Sequence, residues 1–412
     1  MALTLDIAPL DSTLDEAHRS YKAWRRAVGM MPSWEELSTP LQSTVGGVAF
    51  RSDTSADPCS LLPEYYRRRH HAEQLISRLD HAFFTTMDDA DDLTYDLIRL
   101  LAWWTRCLSD EIDLLGGGSH DPYDPPLTRD DAPCPPAFTD SDLTKDGVHR
   151  ICETAAVLRG LGAGSVYDLE RTVWTAVDRA ASMNVIMGDG RDVSRDASRE
   201  SGSWRTRTSV LIDALRDVLT CPPVDGSVIG IDLETTGLKP TRTWVVDAGW
   251  LQMDLTDPTE REIHPMRRSY GVPSTRMTLG NPTQNLTGIS ADDLAGLKPL
   301  DLDPDAQNEI LNALLGRRFV AHNASFENTF FKLTVDGYAE ALRNRLIKIV
   351  DSRNISRWLD PYPGKKGNHL EEYARHWNAL DPATDSERHL GLEDSEIMLK
   401  AMGRHLRSIW NG

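Results

Sequence analysis

Cysteine is sparse in this chain of 412 residues. The five present, Cys59, Cys107, Cys134, Cys152 and Cys221, are odd in number, scattered and never spaced as CxxC. That pattern excludes a disulfide framework or a structural zinc site and reads as buried thiols. No stretch approaches the ~20 consecutive apolar residues of a membrane span, so no membrane partner is expected. The opening MALTLDIAPLDSTLDEAHRS has no basic-then-apolar order of a secretory signal, which makes a cytoplasmic address the expectation. Positive charge is also short: 45 Lys+Arg face 63 Asp+Glu, a formal net charge of −18. Unspecific attraction to nucleic acid is excluded on that ground, because a polyanion is held largely through Lys and Arg. If nucleic acid is nevertheless the substrate, bound divalent cations would have to reverse the sign locally. What the chain does have is an ordinary globular composition, 40% hydrophobic with 28 glycines, over a length suited to two or three domains.

The two halves differ in kind. Residues 225–412 hold 22 basic and 27 acidic side chains and residues 1–224 hold 23 and 36, giving net charges of −5 and −13. Up to about residue 220 the apolar period is helical. Leu14, Ala17, Tyr21 and Trp24 form one stripe over 12–29. Leu93, Leu97, Leu100, Leu101, Trp104, Leu108, Ile112 and Leu115 form another over 88–115, after an acidic start at Asp88, Asp89, Asp91 and Asp92 that suits a helix N-terminus. Gly116-Gly117-Gly118 stops it, and a Pro/Asp/Gly-rich loop runs to about 138. Helices are expected again near 140–160, 165–187 and 203–219, with a Ser/Arg/Asp-rich stretch between the last two. Cys221-Pro222-Pro223 marks the boundary between a mostly helical domain, 1–220, and a second domain, 225–412. Beyond it short β-rich runs (228–233, 244–253, 261–268, 319–321, 346–350) alternate with helices near 305–316, 369–379 and 390–409. The fold class is α/β, a mixed sheet flanked by helices behind a helical N-terminal domain.

Three pieces of the second half carry chemistry. In VIGIDLETTGL, Asp232 and Glu234 are two apart on a strand and so share one face, where a hard cation bound by oxygen would relieve their repulsion. In VAHNASFENTFF, a strand leads through His322 and Asn323 into a helix bearing Phe326 and Glu327. In HLGLEDSEIML, His389 and Asp394 reach one cleft if His389 lies just ahead of the helix. Taken singly, each has an ordinary explanation as a strand tip, an amphipathic helix or a solvated surface.

Taken together, their order and spacing resemble the DEDDh branch of the 3′–5′ exonucleases, over about residues 225–408. Asp232-x-Glu234-Thr235-Thr236-Gly237-Leu238 matches the first motif, His322-Asn323-Ala324-x-Phe326 the second, and His389 with Asp394 the third. Leu286-Thr287-Gly288-Ile289-Ser290 resembles the family's turn before a helix, and Asp351 follows a strand as in the family. The resemblance implies a ribonuclease H-like fold and hydrolysis of phosphodiesters from a 3′ end, with single-stranded DNA or frayed ends preferred and RNA or short oligonucleotides as the alternative. It implies two divalent cations, Mg²⁺ with Mn²⁺ as substitute. Asp232 would bridge them, Glu234 and Asp394 would serve the water-binding ion, Glu327 the other, and His389 would be the general base. Thr235, Thr236, Leu238, Asn323 and Phe326 would meet the substrate, Leu238 and Phe326 by packing against bases. Asn323 is equally placed to cap the following helix, and His322 and His369 read as structural. One departure stands out: the family has Asp where this chain has Glu327, one methylene longer. A docking protein disabled at that position is therefore the rival reading. The pairs Arg267/Arg268, Arg317/Arg318 and Lys365/Lys366 are candidates for phosphate contact or for plain solvation. For the helical half, the charge of −13 argues for a protein partner, or for a cover that limits which ends enter.

Overall fold

The computed structural model describes residues 62–85, 92–117, 121–124, 137–188, 207–223, 225–272, 282–360, 368–380 and 389–411. The stripe at 12–29, most of the loop before 138, the Ser/Arg/Asp-rich stretch and Lys365/Lys366 lie outside them. The first half supplies helices α1 (Leu62–Thr85), α2 (Asp92–Leu114), α3 (Lys145–Leu158), α4 (Ser165–Gly188) and α5 (Arg207–Leu219). The expected stripe on α2 is real, with Leu101, Leu108 and Ile112 all buried. The helix ends where Gly116 takes a φ of +75°, a conformation that costs a residue without Cβ little. Cys152 is buried and Cys221 half-buried, both as free thiols.

The second half builds a mixed five-stranded sheet from β1 (Ser227–Thr235), β2 (Val245–Asp254), β3 (Ile263–Ser269), β4 (Arg318–Ala321) and β5 (Lys348–Asp351). The order is β3-β2-β1-β4-β5. β1 pairs antiparallel with β2 and parallel with β4. This is the mixed sheet flanked by helices that the sequence leads one to expect. Helices α6 (Pro282–Thr287), α7 (Ala291–Leu294), α8 (Pro304–Leu314) and α9 (Ser325–Thr334) lead to two more that are not among the helices expected from sequence, α10 (Tyr338–Arg343) and α11 (Ser352–Leu359). In α11 the apolar residues of SRNISRWL fall at helical spacing, Asp351 caps the helix by accepting the N–H groups of Arg353 and Asn354, and Ile355 and Trp358 are buried. α12 (Leu370–His376) and α13 (Gly391–Trp410) complete the chain.

Alternation along β1 divides the core. Ile229, Ile231 and Leu233 pack with Phe319, Phe330, Phe331 and Ile310 on one face. Val228, with Leu251 and Met253 of β2, packs with Met398, Leu399 and Met402 of α13 on the other. The helical half is fused to both ends of this arrangement. Ile151, Ala155, Leu215 and Leu219 of α3 and α5 belong to the α13 core. The core of the α1–α2 pair continues onto Trp244, Leu333 and Ala339. Arg106 of α2, with its side chain 1% exposed, pairs with Asp301, donates to the Pro240 carbonyl at 3.2 Å and lies 5.0 Å from the Trp244 ring centroid. Removing one partner of so buried a pair typically costs about 3–5 kcal/mol.

Candidate active site

The site lies beyond the C-terminal ends of the parallel strands β1 and β4, where open α/β sheets form their crevices. Asp232 and Glu234 project from one face of β1, opposite Gly249 and Asp247 of β2. Gly249 is there because nothing larger fits: a Cβ at this position would stand 1.8 Å from the Leu392 nitrogen. Reciprocally, a Cβ on Gly391 would stand 2.7 Å from the Asp232 carbonyl oxygen. The start of α13 thus touches the backbone of the sheet itself. Ser395 Oγ fastens it by donating to the Gly249 carbonyl at 2.9 Å. Fully buried Asp247 fastens it again, accepting the Gly391 N–H at 3.2 Å while holding Arg267 at 3.0 Å and Ser269 Oγ at 3.0 Å. Burial raises the Asp247 carboxyl above the usual range, against the pull of Arg267.

This docking decides where the third motif goes. His389 precedes α13 with φ +52°, and Asp394 is buried in its first turn. One ligand atom each from Glu234, His389 and Asp394 lie within 4.8 Å of one another. Asp232, two residues back on the same strand face, is outside that group.

From β4 the chain turns at Asn323, φ +72°, whose N–H is accepted by Asp351 at 3.1 Å. No side chain caps α9, so the Asn323 amide does not have the capping role open to it from sequence. Phe326 is half-buried with its ring 4.8 Å from Phe330. Glu327 is 2% exposed, and its Oε2 has no hydrogen-bond partner. Burial raises its pKa well above the glutamate value, and the charges of Asp351 and Glu234 push the same way. A carboxyl raised on folding stabilises the protein fully below its unfolded pKa and loses that contribution as pH climbs through the folded value. Glu327→Gln should therefore melt higher than the parent at pH 8 without metal, with the gap closing toward pH 5. Each tenfold difference in proton affinity between the folded and unfolded chain adds about 1.4 kcal/mol to that gap. Parallel calorimetry across that range checks it; equal curves remove the buried charge from the site's energetics.

The remaining residues singled out from sequence divide by task. His322 donates from Nε2 to the Asn368 carbonyl at 2.7 Å, has Nδ1 3.0 Å from Ser352 Oγ, and is driven to a pKa of about 4 by burial, as befits a structural histidine. His369 is exposed at the start of α12. Thr235 Oγ1 donates to Gly237 and Thr236 Oγ1 accepts from the Trp244 N–H, so both hydroxyls close the loop after β1. Leu238, at the tip of that loop, is 83% exposed. The capping box of Ser290 and Asp293 realises the turn expected at Leu286–Ser290. Arg267 is held by Asp247, Arg268 by Glu309 and Arg318 by Asp225 and the Leu158 carbonyl, while Arg317 donates to the carbonyls of Asn312 and Ala313. These arginines serve the fold. Asp247 and Gly249 are what the motifs alone do not reveal; the signal was a lone acid and a glycine inside the apolar run VVDAGW.

The donors fit a hard divalent cation. Those that meet, Glu234 of β1 with His389 and Asp394 at the start of α13, are mostly carboxylate oxygens, and Glu327 of α9, which feels the charge of Glu234, has its Oε2 buried without a protein partner. No helix among the described residues is long and apolar enough to cross a membrane. No protein-family model and no curated protein sequence matches the chain. Among solved structures, it is similar to a 3′-exonuclease in 3′-end-specific recognition of a histone mRNA stem-loop, at 12% identity and a TM-score of 0.33, covering 57% of this chain and 86% of that one. It is similar also to a full-length 3′-exonuclease, at 12% identity and a TM-score of 0.34, covering 58% of this chain and 81% of that one.

Proposed function

We propose that the chain is a metal-dependent 3′–5′ exonuclease of the DEDDh type, acting on single-stranded DNA or frayed ends. The observation that carries this reading is the meeting of Glu234, His389 and Asp394 within 4.8 Å at the end of β1, with Glu327 buried beside them. Carboxylates gathered beside an imidazole are poorly suited to a phosphodiester until cations neutralise them. Asp232, Glu234, Asp394 and Glu327 are the residues to hold two such ions. When bound, the ions lower the pKa of a water and neutralise charge on both sides of an in-line displacement.

The residues themselves do the rest. His389 accepts the proton of the attacking water. Its place just ahead of α13, beside Glu234 and Asp394, puts the base next to the carboxylates without making it part of the helix. Leu238 meets the terminal base at the lip of the crevice, with Phe326 behind it, and the main chain at Thr235, Thr236 and Asn323 meets the 3′ nucleotide. Glu327, longer than the family's aspartate, would hold the second ion from its buried position.

Digestion of 5′-labelled single strands with Mg²⁺, run in parallel on DNA and RNA, tests the proposal. A ladder of shortened products that vanishes on chelation is expected, stronger on DNA. Intact substrate at high enzyme, with binding retained, would make the protein a docking module; a stronger ladder on RNA would make it an exoribonuclease.

A further inference from the structure

We infer that Tyr123, stacked on His70, is a platform for a nucleobase of the strand that enters the site, supplied by the helical half of the chain. This rests on the nuclease reading and adds to it a contact outside the motifs. Tyr123 is 41% exposed, and its ring lies parallel to that of His70, 4.4 Å between centroids and 12° between planes. His70 is itself fixed by Gln74 Nε2 at 2.9 Å. A flat aromatic surface, backed by a second ring and open to solvent, is what base stacking requires.

Ion pairs tie the mount to the loop that follows β1. Tyr123 donates its N–H to Asp121 Oδ1 at 2.9 Å. Asp121 and Asp124 both hold Arg242, at 3.0 and 2.8 Å, and Asp124 also holds Lys239. Lys239 is the neighbour of Leu238, so one ion pair joins the segment carrying Tyr123 to the loop tip that faces the terminal base. Charge does not oppose the contact. Arg69 pairs with Asp121 and Arg242 with Glu73, so three cations answer three carboxylates around this mount. The net −13 of the helical half thus does not extend to its junction with the loop.

Stacking on an aromatic face is worth about 1–3 kcal/mol per base, roughly a 5- to 150-fold effect on affinity. The test is steady-state hydrolysis of a length series from dinucleotide to decanucleotide, in DNA and in RNA, by the full chain and its variants. Tyr123→Ala should raise KM for the longer oligomers by that factor, leave kcat unchanged and leave the dinucleotide unaffected. Tyr123→Phe should restore the parent values. Tyr123→Leu, which keeps apolar volume without a π-face, should behave as the alanine variant. The polymer whose KM responds is the strand that stacks. A KM unchanged at every length in Tyr123→Ala, or fully retained by Tyr123→Leu, overturns the platform while the nuclease stands. No hydrolysis of any oligomer by the parent overturns both.

Discussion

Asp232→Ala is expected to reduce Mg²⁺-dependent turnover by about three orders of magnitude or more, with the fold intact. The carboxylate assigned to both cations is then gone, and the several kcal/mol that metal ions contribute to such chemistry translate at about 1.4 kcal/mol per factor of ten. Asp232 is half-buried at the end of β1, on the strand face of Glu234. Without metal, removing it relieves repulsion, so the variant's melting temperature should rise in a chelator while its activity disappears. That opposite movement separates a lost ligand from a damaged fold. Turnover within tenfold of the parent would falsify the assignment of this residue to the metals.

Replacing His389 comes second in expected size, and the choice of substituent matters. With φ at +52°, alanine would add backbone strain to the loss of the imidazole, whereas asparagine visits this region readily. His389→Asn should therefore cut kcat by about 10²- to 10⁴-fold, the usual contribution of a general base, with KM and metal dependence little changed. A variant that keeps the parent's rate would leave the proton to another acceptor.

The fold was readable because its signals are local. Val228–Leu233 and Trp244–Met253 are apolar runs whose strands, Ser227–Thr235 and Val245–Asp254, differ from them by only one or two residues at each end. The 3.6-residue stripe of α2 survives folding because that face meets Trp244 and Leu333. α11 does not stand out in the sequence because its apolar stripe, Ile355, Trp358 and Leu359, spans little more than one turn, and the cap that starts it is the last residue of β5, Asp351. In the site, Asp232 and Glu234 announce themselves by spacing along one strand, whereas Glu234, His389 and Asp394 come together only through a resemblance or a structure. Gly249 could not be interpreted from sequence at all, since what forbids its side chain is a helix start more than 140 residues onward. Tyr123 was hidden for a related reason: its Pro- and Asp-rich surroundings look like an exposed loop, and the ion pairs that hold them come from residues 239 and 242.

The fusion of α1–α5 with the sheet bears on how the second half of the chain can be handled. Cutting the chain at residue 225 would strip cover from Trp244, Leu333 and Val228, and would leave Arg242 facing solvent without Glu73, Asp121 or Asp124. Such a fragment would emerge from expression as a sticky, poorly soluble species. The helical half then acts as a built-in escort for the sheet-bearing half, and dissection by point substitution will report on the site where truncation reports only on aggregation.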